Sequence, residues 1–418
     1  MSRPVAVLVD AYTSGNYLPP AFDALGVDVV HVQSTPELMS SMLAPDLRAY
    51  RANLVCLDPA RTAAELAAFE PIAVLAGQEP GVPLADELAE RLGLPGNAAA
   101  GSAARRDKYE MIEALRAAGV RCADQFVSDD AEEIVAWAQR RAEYPVVVKP
   151  LCSAATDGVQ ICADAGQVRK AAEAVLGSTD IYLRANDRVL AQSYLSGPEY
   201  VVDMVSVRGS RYTCGVWRYH KRLLGTHNIY DREAVLRAGD PTVAELIAYT
   251  DEALRAVGIE YGPSHAEVIM TADGPTLVEV GARLAGNMHP RFHDECVGAN
   301  QADLTALAYS RPAEFLAGYA GDRYTKRCEA CVYTAPTDQD GIVERVDEAV
   351  VAEIEALPSV FGVHVKIKPG GRIRPTVDLY TSTLRVFLRN NSEVALLRDY
   401  RRVQELKDRV YQVSGYSE

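Results

Sequence analysis

The first hundred residues alternate short apolar runs with amphipathic stretches. Val5–Val9 reads as a buried strand, and Val27–Val32, Leu54–Leu57 and Ile72–Ala76 as three more. Leu84–Leu92 has helical spacing and Gly93 closes it. Strand–helix alternation of this kind predicts an open α/β sheet. The polar loop Asp10–Asn16 holds one glycine and no GxGxxG pattern, so it is not marked as a dinucleotide loop. Small residues at Asn97–Ala104 form a boundary, which defines a first domain over residues 1–104.

Past that boundary, Arg105–Ala118 predicts a helix with Met111, Ile112 and Leu115 on one face. Ser128–Glu143 predicts a second helix, with Asp129 and Glu132 spaced as a capping box. Asp164–Leu176 predicts a third, with Asp164 as N-cap. Pro145–Pro150 and Val189–Ser193 read as strands, and Tyr200–Val207 follows the Gly197-Pro198 turn as another. Asp240-Pro241 opens a helix over Thr242–Val257. Ala266–Met270 and Thr276–Val280 are the arms of a hairpin joined at Asp273-Gly274. These segments divide into domains over 105–190 and 191–326. From there to the end, 327–418, strands at Cys328–Tyr333, Gly362–Ile367 and Thr383–Leu388 surround turns and a short helix, Glu348–Ala356. An amphipathic helix at Val394–Val413, striped by Val394, Leu397, Val403, Leu406 and Val410, ends the chain. The expected class is α/β followed by a C-terminal α+β part.

The 418 residues carry a formal net charge of −14 and no long basic run, which argues against a nucleic-acid surface. No window approaches the roughly 20 apolar residues that span a bilayer, and MSRPVAVLVD lacks the pattern of a signal peptide. A cytoplasmic protein without membrane or nucleic-acid partners is expected. Of eight cysteines only Cys328 and Cys331 have CxxC spacing, and no second pair completes a zinc site; buried free thiols are expected.

Candidate chemistry collects in the middle of the chain. Lys149 ends the apolar run VVVKP, where a strand would deliver its ammonium to the sheet edge. The following loop, Cys152–Gly158, has small residues that let backbone N–H groups approach a phosphate. Gln192–Glu199 is a strand running out into a hinge, which offers backbone groups to an adenine edge and a carboxylate to ribose hydroxyls. Glu267 and Glu279 lie on opposite arms of the hairpin, each between apolar neighbours. Facing carboxylates in apolar strands are costly without a cation, and Mg²⁺ takes oxygen ligands shared with phosphates. Arg283 follows four residues later and can reach the same cleft, while Gly286 and Asn287 form a tight loop suited to a small pocket.

In this order the residues resemble the ATP-grasp superfamily, and within it the L-amino acid ligase (dipeptide synthetase) branch of carboxylate–amine ligases. The likeness covers nearly the whole chain. It implies an ATP-grasp fold and an ATP-dependent ligase that forms an amide, a dipeptide or amino-acid conjugate, through an acyl phosphate. ATP and Mg²⁺, with Mn²⁺ able to substitute, are the implied cofactors. Small-molecule carboxylates and amines, amino acids above all, are the implied substrates, and a homodimer is compatible. Carried over by position, Lys108 and Lys149 match the nucleotide lysines, and Ser153–Gly158 matches the phosphate-covering loop. Gln192, Ser193 and Leu195 match the adenine hinge, Glu199 the ribose carboxylate, Glu267 and Glu279 the metal ligands, and Arg283 the arginine at the transferred phosphate.

Three departures stand out: Gln192 where many members have Glu, few glycines in the loop, and Gly281 where Asn commonly stands. His227 and His289 are candidates near the substrates, and Trp217 and Tyr230 for shaping the acyl pocket. The alternatives are a ligase for a non-amino-acid carboxylate or amine, and a nucleotide-binding regulatory protein without turnover.

Overall fold

The computed structural model describes residues 3–415 other than 41, 154–156, 181, 183, 225 and 226, with side chains at 222–228 left undescribed. Val5–Val9 forms as expected and is buried at all five positions, because it is the inner strand of a parallel sheet. Its sheet has the spatial order Asn53–Val55, Asp28–Gln33, Val5–Val9, Pro71–Ala76. Helix Val82–Arg91 buries Val82, Ala85, Leu88 and Ala89 against it.

The helix expected over Arg105–Ala118 is shorter, Lys108–Ala117. Asp107 accepts from the backbone N–H groups of Tyr109 and Glu110 and so starts the helix there. The next helix, Ala131–Arg141, is capped by Asp130, which accepts from Glu132 N; the Asp129 cap is one residue off. Asp164 caps Ala165–Leu176 as expected. These last two helices cover an antiparallel sheet ordered Gln125–Ser128, Val189–Ser193, Val146–Lys149, Gln160–Cys162. Ile134, Val135, Val168 and Val175 pack there on Val146 and Val148.

The centre is an eight-stranded antiparallel sheet. It runs from Gly274–Gly281 through Gly262–Thr271, Glu199–Val207, Ser210–Leu224, His227–Val235, Glu329–Ala335 and Leu384–Asn390 to Val360–Val365. It therefore crosses the division drawn at 326/327, and strand Val189–Ser193 straddles the one at 190/191.

The C-terminal helix expected to Val413 stops at Leu406, and Tyr411–Ser414 instead pairs with Gly341–Val346. Its buried face includes Leu396, Tyr400, Val403 and Leu406; of the expected stripe Val403, Leu406 and Val410 are buried and Leu397 packs beside them, while Val394 is 80% exposed. Among the described residues no helix is long and apolar enough to cross a membrane, and all eight cysteines are free thiols, four of them buried.

Candidate active site

Three of these units deliver side chains to one cleft of about 1030 Å³, its open mouth included. Lys108 enters from the first turn of its helix, Lys149 from the end of strand Val146–Lys149, and Glu267 and Glu279 from the sheet. The hairpin aligns as its sequence spacing requires: Glu267 and Glu279 are direct cross-strand partners, with the register shifting just after Glu267.

Lys108 Nζ lies 2.6 Å from Glu279 Oε2 and donates to the Ser153 carbonyl at 2.6 Å. Burial works to raise the Glu279 carboxyl, but Lys108, Lys149 and Arg283 outweigh it and hold it below its ordinary range. Glu267 goes the other way. Burial first and Glu279 second push it up, and its nearest cationic neighbour, His265 Nε2, is 3.8 Å from its Oε1. Lys149 is buried, and that burial, helped by Lys108, lowers its ammonium to about 8.

The nucleotide end is lined by Gln192, Ser193, Tyr194 and Leu195 with Ile161, Ile269 and Val278. Gln192 Nε2 donates to Gln125 Oε1 at 2.9 Å, which fixes the amide and turns its own oxygen free of that bond. Ser193 is tied to Asp124 by its backbone N–H and by its hydroxyl, which accepts from Asp124 N. Gly197, at φ +152°, is required where the hinge leaves this strand, since a Cβ there would lie 2.0 Å from the Met270 carbonyl oxygen. Glu199, at the start of strand Glu199–Val207, receives Lys221 Nζ at 2.5 Å. Ser153 Oγ donates to Asp157 at 2.5 Å, and Gly158 adopts φ +67° against Pro150.

Arg283 lies beside the cleft. Its Nη2 is 3.3 Å from Glu79 Oε1, and Glu79 also accepts from the Tyr182 hydroxyl at 3.1 Å. A Cβ on Gly281 would come within 3.1 Å of both Arg283 Cζ and Glu79 Oε1. The place of the commoner asparagine is thus filled by this ion pair. Glu79, Tyr182, Lys221 and Gln125 were not identified from the sequence. Glu79 and Tyr182 carry no local motif, while Lys221 had a legible signal, the alternation Trp217-Arg218-Tyr219-His220-Lys221.

The remaining candidates are dispersed. Tyr230 lines the cleft under Lys221, whose Nζ is 4.1 Å from its ring centre. Trp217 and Asn287 line a separate small hollow, and Gly286 offers its carbonyl to Arg385 at 3.3 Å. His289 is the N-cap of helix Pro290–Val297, accepting from Phe292 N, with its ring between Tyr17, Phe361 and Phe387. It is not among the residues lining the cleft. The side chain of His227 lies outside the described residues.

Residues 142–291 match the model of the ATP-grasp domain. Dapdiamide A synthase from Enterobacter agglomerans is 35% identical over 389 residues, covering 91% of this chain and 90% of that protein. The chain belongs to the ATP-grasp family. It is an ATP-dependent ligase of the carboxylate–amine type, and the reading as a regulatory protein without turnover falls away. Two solved structures show the same fold. An L-amino acid ligase from Bacillus licheniformis superposes over the full length of both chains with TM-score 0.77 at 19% identity. The biotin carboxylase domain of Hydrogenobacter thermophilus 2-oxoglutarate carboxylase, in complex with MgADP and bicarbonate, gives TM-score 0.64 at 16% identity, covering 98% and 90% of the two chains.

ATP with Mg²⁺ is what this family uses, and the residues present fit it. Burial and the facing Glu279 raise the Glu267 carboxyl to about 7 against the pull of Lys221 and His265, so its charge is only partly offset. Among the described residues no group of three or more His, Cys, Asp or Glu could hold a metal alone, and Mg²⁺ needs only one or two carboxylates when substrate phosphates complete its shell.

Proposed function

We propose that the enzyme activates the carboxylate of an amino acid as an acyl phosphate and joins it to an amine, giving a dipeptide or an amino-acid conjugate, ADP and phosphate. The observation that carries this reading is the meeting of Lys108, Lys149, Glu267 and Glu279 in one cleft, with Arg283 beside it.

In this reading Gln192, Ser193 and Leu195 hold the adenine and Glu199 the ribose, with Lys221 moving off Glu199 to free its oxygens. Lys108 and Lys149 neutralise phosphate oxygens, and Ser153 and Gly158 belong to the loop that covers them. Glu267 and Glu279 hold Mg²⁺, which when bound offsets the charge of the phosphates. Arg283 stabilises the negative charge that builds as the substrate carboxylate attacks the γ-phosphoryl group and later as the amine displaces phosphate. Exclusion of water by the covering sheet protects the acyl phosphate from hydrolysis. Gly286, Asn287, His227 and His289 are placed on the substrate side.

A second reading takes a non-amino-acid carboxylate or amine; the relative named for a single product, dapdiamide A, supports a dedicated substrate pair in either reading. The resemblance alone carries two further parts, Mn²⁺ in place of Mg²⁺ and a homodimer, while a cytoplasmic location is proposed from the sequence reading. The four segments 1–104, 105–190, 191–326 and 327–418 are likewise proposed from the sequence, as stretches of chain and not as separate sheets.

The test is incubation with ATP, Mg²⁺ and pairs of carboxylates and amines, reading ADP and the mass of the amide. Release of ADP that requires one acid and one amine is expected. ADP release indifferent to both across a broad panel would overturn the reading.

A further inference from the structure

In the antiparallel sheet that carries Lys149, helix Ala165–Leu176 and strand Val189–Ser193 are joined by a hairpin that reaches the N-terminal unit. Thr179 and Ala185 bridge antiparallel at its root. There Asp180 N donates to the Arg184 carbonyl at 2.8 Å and Asn186 N to that of Ser178 at 3.1 Å. Asp180 shapes the turn. It is 4% exposed, and one of its carboxylate oxygens accepts from Tyr182 N at 2.8 Å and from Arg184 N at 3.0 Å.

The turn presents Tyr182, whose side chain is gripped at two points. Its hydroxyl donates to Glu79 Oε2 at 3.1 Å, 103 residues away in sequence. Its ring lies 4.8 Å from the Arg106 guanidinium, and Arg106 Nη2 donates to the carbonyl of Cys152, at the root of the loop Ser153–Gly158, at 2.8 Å. The other oxygen of Glu79, Oε1, takes Arg283 Nη2 at 3.3 Å, so the two oxygens of one carboxylate are held from two different units. The side chains of Glu79 and Arg283 are 12% and 11% exposed. A hydrogen bond to a charged acceptor this far from water is among the stronger kinds. Tyr182, Glu79 and Arg283 thus run in series through the lysine-bearing sheet, the N-terminal unit and the central sheet. The anchor of Arg283 depends on where the lysine-bearing sheet stands.

We propose that Tyr182 is a positioning residue for Arg283: acting through Glu79, it ties the arrangement of the arginine to the docking of the sheet that covers the phosphates. The inference rests on the ligase reading above and deepens it. With Tyr182 docked, both oxygens of Glu79 are held and the guanidinium is fixed beside the cleft. With the sheet withdrawn, Oε2 loses its donor, the carboxylate turns about its last bond, and Arg283 is no longer held in one place. Phosphoryl transfer then proceeds only in a site already closed to water. Where that order fails, water attacks the acyl carbon in place of the amine, the bond from that carbon to the phosphate oxygen breaks, and the carboxylate and phosphate are released without amide.

Tyr182→Phe keeps the ring on Arg106 and removes only the hydroxyl. ADP and amide are measured together for the wild type, Tyr182→Phe, Glu79→Gln and the double variant. The wild type should give one amide per ADP. In Tyr182→Phe kcat should fall about tenfold, the usual effect of losing a group that orients an active one, with KM for MgATP unchanged and fewer amides made per ADP. Added to Glu79→Gln, the same substitution should cost nothing further, because the bond it breaks is already lost. A yield and kcat at wild-type values, a loss by the same factor in both backgrounds, or a raised KM for MgATP with kcat intact would each overturn the proposal. A wild type that releases no ADP with any substrate pair would instead sink the ligase reading. Hydrogen exchange with Mg²⁺ and a non-hydrolysable ATP analogue then decides the link by itself. Tyr182→Phe should speed exchange around Glu79 and Arg283 as well as in the hairpin, and a change confined to the hairpin would refute it.

Discussion

Glu267 and Glu279 are direct cross-strand partners, yet their carboxyls are driven in opposite directions, Glu267 upward and Glu279 downward. The difference lies in their neighbours. Glu279 has Lys108 at 2.6 Å, whereas Glu267 is buried beside a charge of its own sign. In the free protein the ionised form of Glu267 is therefore destabilising. The folded state binds its proton more tightly than the unfolded chain, so its contribution to stability falls as pH rises from the ordinary carboxylate range toward neutrality.

Glu267→Gln should remove that cost and the metal ligand together. Thermal melts without nucleotide at pH 8 should show a Tm at or above the wild-type value. ADP release should fall roughly 10²–10³-fold, the usual cost of losing one charge-stabilising group at a reacting centre. Turnover at the wild-type rate would remove Glu267 from the metal site.

Lys149 gives a pH dependence of opposite sign. Burial and Lys108 bring its ammonium down to about 8, so between that value and 10.5 the unfolded chain binds the proton that the folded one has lost. Phosphate oxygens favour the charged form, and binding of MgATP should therefore take up a proton above pH 8. Calorimetry at pH 8.5 in two buffers of different ionisation enthalpy measures that uptake directly. ATP affinity should weaken by up to about tenfold per pH unit beyond 8, and Lys149→Met should abolish the dependence. A wild-type affinity flat from pH 7 to 9.5 would place Lys149 away from the phosphates.

The cleft was legible in the sequence because its parts are local. VVVKP and the hairpin around Asp273-Gly274 fix where Lys149, Glu267 and Glu279 point through strand parity and one turn. Elements set by distant partners were not legible. Helix Glu393–Leu406 ends where the chain finds the edge of Gly341–Val346, some 70 residues away in sequence, and no pattern in Tyr411–Ser414 announces that pairing. Arg105 falls inside the helix that the Met111, Ile112 and Leu115 face predicts, whereas its guanidinium is held by Asp86 and by carbonyls of Ala98, Val257 and Gly258. Glu79 was invisible for the same reason, being 204 residues from Arg283.

The Arg105–Asp86 pair bolts the N-terminal unit to the central one. Arg105 is buried, with Nη2 2.8 Å from Asp86, and Ser102 donates to the same carboxylate oxygen at 2.8 Å. Asp86→Ala strands a guanidinium in a dry site, where loss of one member of a buried pair costs about 3–5 kcal/mol. Urea unfolding should show a loss of this order, while MgATP affinity, read below the unfolding transition, stays within about twofold because the pair touches no cleft residue. A loss under ~1 kcal/mol would mean that water reaches the site.

The last prediction concerns Glu79, which accepts from Arg283 at 3.3 Å and from Tyr182 at 3.1 Å while Gly281 leaves room for both. Burial works to raise its carboxyl, but Arg283 and Arg106 keep it below its ordinary range, so it is an anion at neutral pH. Its position opposite Arg283 fixes the guanidinium without reaching the nucleotide end of the cleft. Glu79→Gln keeps the shape and removes the charge, and Arg283 is then free to take other rotamers or to pair with Glu279. The effect should appear in kcat, about 10–100-fold by the usual worth of a partner that orients an active group, with KM for MgATP close to the wild-type value. Glu79→Asp, one methylene shorter but still charged, should recover part of the loss. A variant that instead raised KM for MgATP with kcat intact would show that Glu79 acts on nucleotide binding and not through Arg283.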